Sequence, residues 1–340
     1  MRATLITLIG PRIDPKIESD LLTSLPRVLA MEKTAQSALQ SDDAAGEHGD
    51  AAGRRADATV ERADAAAEHE DAAVEITPRL PIHAAQLSDL DIRQWQVNIP
   101  PARVRTQLQE LLAPVRAAGL DLLITPAALL DAGPRLIVTD VDSTLIRDEV
   151  IELLADHAGS GRAVAQVTES AMRGELDFKE SLAQRVATLR GLPVSVFEQV
   201  HASVRLTAGV ENLCRVLKRN SDYIGVVSGG FIEIVQPLAD ALSIDFTRAN
   251  RLATTDGYLS GGVDGTVVDR EVKAQTLREW ARQTGVPIER TIAVGDGAND
   301  LDMLAAAGLG VAFNAKPVVQ AAADTAITSS RLDVLLAVIG

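Results

Sequence analysis

Short apolar runs alternate with stretches of helical spacing along most of this chain. Ala3 to Ile9 alternates and predicts a strand, and Glu18 to Met31 predicts a helix. Further on, Ile92 to Ile99 predicts a strand, Ala102 to Ala118 a helix and Leu120 to Ile124 a strand. One more strand is expected near Pro81 to Leu87. The runs 136–139, 224–227 and 291–294 are apolar apart from a threonine at one end of two of them, the pattern of parallel strands buried on both faces. Phe231 to Leu242 and Leu301 to Ala307 return to helical spacing, as do residues 149–172 and 177–190.

One stretch breaks the pattern. Asp43, Asp50, Asp57, Asp64 and Asp71 recur every seventh residue, and four of the five are followed by Ala-Ala. A coiled-coil seam built on this repeat would be alanine, with almost nothing large to bury. Residues 41–76 therefore read as a low-complexity insert, part helical and part disordered, with His48 and His69 in solvent. The insert carries eleven acidic and three basic residues, so −8 of the net charge of −14 lies here. That charge argues against nucleic acid as a partner. Hydrophobic residues make up 46% of the chain, enough for a real core, and aromatics only 3%. Cys214 is the single cysteine, which leaves no intrachain disulfide and no cysteine metal cluster. No apolar run approaches a membrane span, and the first 25 residues lack the form of a signal peptide, so a cytoplasmic location is expected.

The chemistry gathers where the buried strands end. Asp140 and Asp142 follow the first run, in Asp-Val-Asp-Ser-Thr. Two apart on an extended chain, they can reach one pocket at the strand's carboxyl end, where open α/β sheets bind ligands. Two close carboxylates repel, and a divalent cation relieves them while letting a phosphate approach. Asp140 could then attack phosphorus, with Asp142 as general acid and base. Ser228 precedes Gly229-Gly230 and a helix start, an arrangement that suits an anion. Asp296 sits in Gly-Asp-Gly, fit for a hard cation, with Asn299 and Asp300 supporting its loop. Lys273 could place a point charge on a transferring phosphoryl group. Each feature has a plain alternative: a strand-end cap for Asp140 and Asp142, an ordinary turn serine, a glycine-rich turn, a surface lysine. Their joint occurrence, in this order and each aspartate and serine motif after a strand-like run, favours phosphoryl transfer.

At these residues the chain resembles the haloacid dehalogenase superfamily, and within it the phosphoserine phosphatases. The stretches that carry the likeness are 140–146, 171–178, 226–231 and 294–300, within about 200 residues running from Arg135 to the C-terminus. The resemblance implies an α/β fold: a Rossmann-like parallel sheet over residues 131–340 with a helical cap inserted at about 149–205. It also implies Asp140 as nucleophile, Asp142 as acid and base, and Mg2+ held by the Asp140 carboxylate, the Asp142 backbone carbonyl and Asp296. Ser228, Gly229, Lys273 and Asn299 would face the phosphate. In the cap, Glu149 would pair with a substrate ammonium, Arg185 would hold its carboxylate, and Met172 and Phe178 would line the lid. Left to themselves, Glu149 and Arg185 read as solvated helix charges. Val272 departs from the likeness, since many relatives carry glycine before the lysine.

The implied activity is hydrolysis of L-phosphoserine to L-serine and phosphate, the last step of serine biosynthesis. Its rivals are a phosphatase or phosphotransferase for another small phosphomonoester, and a non-catalytic amino-acid sensor. Strand–helix followed by strand–helix–strand in residues 1–130 resembles a ferredoxin-like α+β domain of the ACT regulatory type, interrupted by the insert. Such domains often bind amino acids or pair between subunits, which makes an amino-acid ligand and a homodimer the matching expectations. A purely structural domain is the alternative.

Overall fold

The computed structural model describes residues 3–25, 76–79, 83–173 and 175–339, without the side chains of Ala84 and Met172. The heptad repeat from Asp43 to Asp71 lies outside the described residues, as does the end of the helix expected to reach Met31.

Among the described residues the N-terminal layer is built of β1 (Thr4–Gly10), α1 (Pro15–Ser24), β2 (Ile76–Arg79), β3 (Asp91–Val97), α2 (Pro101–Ala117) and β4 (Asp121–Pro126). The sheet order is β2-β3-β1-β4 with antiparallel pairs throughout, the ferredoxin-like arrangement. Asp14 caps α1, accepting from the Lys16 amide at 2.8 Å, and Pro15 opens the helix, so it starts before Glu18. The second strand is Ile76–Arg79, earlier than expected, and Ala84–Leu87 forms a 3-10 turn instead. β1 is buried at all seven positions. Ile6 and Leu8 pack with α1 and α2 through Leu21, Val104 and Leu108. Thr7 faces the other way and donates to the Ala337 carbonyl at 3.4 Å, with Gln94 donating to the same carbonyl at 2.8 Å.

The second sheet has seven strands in the order β11-β10-β9-β5-β6-β7-β8. They are β5 (Leu136–Thr139), β6 (Tyr223–Phe231), β7 (Phe246–Thr255), β8 (Tyr258–Asp264), β9 (Thr291–Gly295), β10 (Leu309–Phe313) and β11 (Thr325–Ile327). All pairs are parallel except β7–β8. Successive strand residues go to opposite layers. Ile137, Ile292 and Val294 join α7 (Val210–Arg219) and α8 (Ile232–Ala241) in one buried cluster. Leu136, Val138 and Ala293 join α9 (Arg270–Thr284) and α10 (Leu301–Ala306) in the other. That is why these runs read as nearly uninterrupted apolar sequence. A short helix α11 (Pro317–Ala322) precedes β11.

Four helices stand between β5 and α7: α3 (Val150–His157), α4 (Gly161–Met172), α5 (Phe178–Ala187) and α6 (Val196–Ser203). The single helical stretch expected over 149–172 is two helices, because Gly159 takes a φ of 63° and breaks it. The more polar tail that follows supplies a fourth helix. The two sheets abut at β4 and β11. There the Asp121 carboxylate accepts from the Thr328 amide and hydroxyl at 2.7 Å each and from the Ser329 amide at 3.1 Å. No helix among the described residues is long and apolar enough to cross a membrane.

Candidate active site

β5 lies between β6 and β9, and the chain leaves it in opposite directions, so the carboxyl ends of these three strands frame a crevice. Asp140 follows β5. Its amide still donates to the Val294 carbonyl at 2.9 Å, while its carboxylate accepts from the Val141 amide at 2.8 Å. The next residues leave the strand. Ser143 has a φ of 54°, and a backbone bond from the Ile146 amide to the Val141 carbonyl at 3.0 Å closes a wide turn. Asp142 therefore reaches the crevice from this turn rather than from an extended strand. One of its oxygens accepts from the Val150 amide at 2.7 Å and the other from the Ser228 hydroxyl at 3.0 Å. The Ser228 oxygen in turn accepts from the Gly230 amide at 2.7 Å.

Lys273 is 1% exposed and sits between two carboxylates, 2.8 Å from Asp140 and 2.7 Å from Asp300. Burial pushes against its charge, but the two aspartates outweigh it and hold the ammonium above the usual lysine range. Asp300 is fully buried, and its second oxygen accepts from the Gly297 amide at 3.0 Å. A Cβ on Gly295 would lie 2.4 Å from the Asp300 carboxyl carbon, so glycine is required there. Burial, with Asp300 beside it, raises Asp140 well above the carboxylate range and Asp296 to about 6. Thr144 donates to Asp296 at 3.3 Å.

Oxygens of Asp140, Asp296 and Asp300 all lie within 4.8 Å of one another. Three carboxylates against one ammonium leave an excess of two negative charges, and every donor is a hard oxygen. The set fits a divalent cation. Both oxygens of Asp300 are already engaged, so its part is to anchor Lys273 and the loop. Asp140 and Asp296 are the carboxylates with free capacity. The side chain of Asp142 stands outside this trio.

A cavity of about 760 Å³ opens above these aspartates. Asp140, Asp142, Asp296, Asn299 and Gly229 line its floor, and Glu149, Phe178 and Arg185 line its cap wall. The Met172 side chain lies outside the described residues. Ser228 and Lys273 are not on the wall: each is buried directly behind it, bonded to an aspartate that is. Glu149 accepts from the Ser143 hydroxyl at 2.7 Å, and burial, with Asp142 beside it, pushes its carboxyl up to about 7. Arg185 is half-buried, which pushes its guanidinium down, and it donates to the Ser181 carbonyl at 3.3 Å. Phe178 lies against Gly229, where an added Cβ would sit 3.1 Å from its ring. Beside it, Lys179 pairs with Asp269 at 3.0 Å across the cap boundary. Val272 sits in the first turn of α9, its amide capped by Asp269 at 3.0 Å, so the departure from glycine leaves Lys273 in reach of Asp140.

Sequence reasoning missed four contributors. Arg270 and Lys316 line the cavity, Thr144 holds Asp296, and buried Asn250 bonds the Gly229 carbonyl and the Val268 amide at 2.8 Å each. Of these, Thr144 lies in the Asp-Val-Asp-Ser-Thr motif, while the other three stand outside the motifs read from the sequence.

A family model described as haloacid dehalogenase-like hydrolase matches residues 137–305. A Streptomyces coelicolor protein named phosphoserine phosphatase is 55% identical over 224 residues, which are 66% of this chain and 55% of that protein. The chain thus matches little more than half the length of this relative. A Streptococcus thermophilus protein of the same name is 50% identical over 197 residues, 58% of this chain and 92% of that protein. Among solved structures, a substrate-bound phosphoserine phosphatase complex aligns with a TM-score of 0.59 at 38% identity, covering 62% of this chain and all of its own. By these matches, with the three motifs brought to one crevice, the chain belongs to the haloacid dehalogenase-like hydrolases.

Proposed function

We propose that this protein hydrolyses L-phosphoserine to L-serine and phosphate, the closing step of serine biosynthesis in the cytoplasm. The observation that carries the reading is the pairing of walls. A cluster of aspartates around Lys273 lies below, and an acid and a guanidinium, Glu149 and Arg185, stand opposite. The three ionic groups of phosphoserine need a phosphoryl site, a carboxylate for its ammonium and a cation for its carboxylate.

In this reading the Asp140 carboxylate attacks phosphorus and forms an aspartyl-phosphate as the seryl oxygen leaves. Asp142 gives that oxygen a proton. Burial raises its carboxyl, while the Val150 amide and the Ser228 hydroxyl limit the rise. Asp142 then takes a proton from the water that cleaves the intermediate. Lys273 balances charge at Asp140, and Gly229 and Asn299 face the phosphoryl oxygens. Mg2+, held by Asp140, Asp296 and the Asp142 carbonyl, would supply positive charge to the phosphoryl group. Phe178, pressed on Gly229, excludes water from the closed site. The ferredoxin-like layer of residues 1–130 is the regulatory unit of this proposal, with an amino acid as ligand and pairing between two copies.

The test is phosphate release from a panel of small phosphomonoesters, with Mg2+ and with EDTA, by the wild type, Arg185→Ala and Glu149→Gln. L-Phosphoserine should be preferred, and the preference should collapse in both variants. A different best substrate, untouched by either variant, would discard phosphoserine. Transfer to an added acceptor instead of water would make the protein a phosphotransferase.

A further inference from the structure

Three of the four cations around the cavity have a use already. Lys273 is shared by Asp140 and Asp300, Arg270 pairs with Asp302 at 2.6 Å, and Arg185 belongs to the cap wall. The fourth, Lys316, lines the same cavity as Asp296 and Asn299, and no carboxylate among the described residues pairs with its ammonium. Its place is set by the fold. Asn314 takes a φ of 45°, donates its amide to the Ile327 carbonyl at 2.9 Å and its side chain to the Ser329 carbonyl at 3.0 Å. That turn brings the chain off the end of β10, beside β9, and sets Lys316 at the cavity. Lys316 is exposed and Ala315 before it is buried, so the lysine is the charged group this loop presents.

A phosphomonoester is close to a dianion at neutral pH, and this chain carries a net charge of −14. The cavity itself adds Asp140, Asp142, Glu149, Glu152 and Asp296. An approaching dianion meets repulsion almost everywhere, and unpaired positive charge on the core side is concentrated at Lys316. Resting on the phosphatase reading above, we propose that Lys316 captures and positions the phosphoryl end of the substrate, as Arg185 does its carboxylate end. It is a positioning and specificity residue that selects dianionic phosphoesters, and it takes no part in bond breaking.

The experiment compares full-length wild type, Lys316→Gln and Lys316→Arg, all with Mg2+. Steady-state kinetics on L-phosphoserine at low and high salt are paired with calorimetric titration by inorganic phosphate. Lys316→Gln should raise KM and the phosphate Kd together by about three- to tenfold, keep kcat within about twofold, and flatten the salt dependence of kcat/KM. Lys316→Arg should restore most of the loss. Unchanged KM, Kd and salt slope in Lys316→Gln would make Lys316 a solvated lysine and overturn the proposal, as would a fall in kcat at constant KM. If the wild type released phosphate from no phosphomonoester, the phosphatase reading would fall, and the phosphate titration would still decide the role of Lys316.

Discussion

Asp140, Lys273 and Asp300 form a buried chain of alternating charge, and the distance of 2.8 Å from Lys273 to Asp140 ties the proposed nucleophile to a fixed cation. Asp140→Asn keeps the size and removes the proposed nucleophile. Phosphate release should fall by about 10³-fold or more while the melting temperature stays close to that of the wild type. Circular dichroism and a phosphate assay check both halves. Glu149, raised to about 7, is protonated below that pH and so loses its charge for a substrate ammonium. KM for phosphoserine should therefore rise as pH falls from 8 to about 6, and Glu149→Gln should flatten that slope. Chemistry at this scale was legible wherever residue type and strand-end position coincided, as at Asp140, Asp142 and Asp296. Lys316 was not, because a lysine in a polar turn carries no local signal and only the fold brings it to the cavity.

Elements position these side chains through a few polar staples. Asn250, on β7, joins the Gly229 carbonyl to the Val268 amide, linking the Ser-Gly-Gly turn to the start of the helix that bears Lys273. Asn250→Ala leaves the buried Val268 amide unpaired, at a cost of about 1–3 kcal/mol, and frees the half-buried Gly229 carbonyl. Thermal melting should show a clear loss of stability, and kcat should drop although Asn250 touches no substrate. Unchanged melting and kcat would remove the staple from the account. The central strands were legible because parallel strands buried on both faces are apolar almost throughout. β1 was legible as a strand, and all seven of its positions are buried because the second sheet covers the face turned from α1 and α2. β2 was displaced because the heptad insert hides where the antiparallel layer resumes. The cap was legible as helical, but its division was not, because the break at Gly159 depends on one backbone angle.

At the scale of the whole molecule, the two sheets share a core. Ile9, Leu87, Ile92, Leu123 and Leu129 from the antiparallel layer belong to the same buried cluster as Ile137 and Leu332. A fragment beginning at residue 131 would expose part of this cluster, at roughly 1 kcal/mol or more per side chain, and should melt earlier than the full chain. The aspartate cluster adds a pH effect. Glu149 and Asp296 have folded values raised to about 7 and about 6, above their ordinary 4.5 and 3.8, so the folded state holds protons more tightly than the unfolded. Stability of chelated protein should then fall as pH rises from about 4 through 7, and Mg2+ should raise the melting temperature more at pH 8 than at pH 5. The lowered values of Asp148 and Asp269 act below that window. The most direct test of the chemistry is an acid-quenched single turnover with 32P-labelled L-phosphoserine, followed by mapping of the labelled peptide. The account predicts a hydroxylamine-labile phosphate on Asp140 that is absent in Asp140→Asn and in EDTA; label on another residue, or turnover persisting in Asp140→Asn, would contradict it.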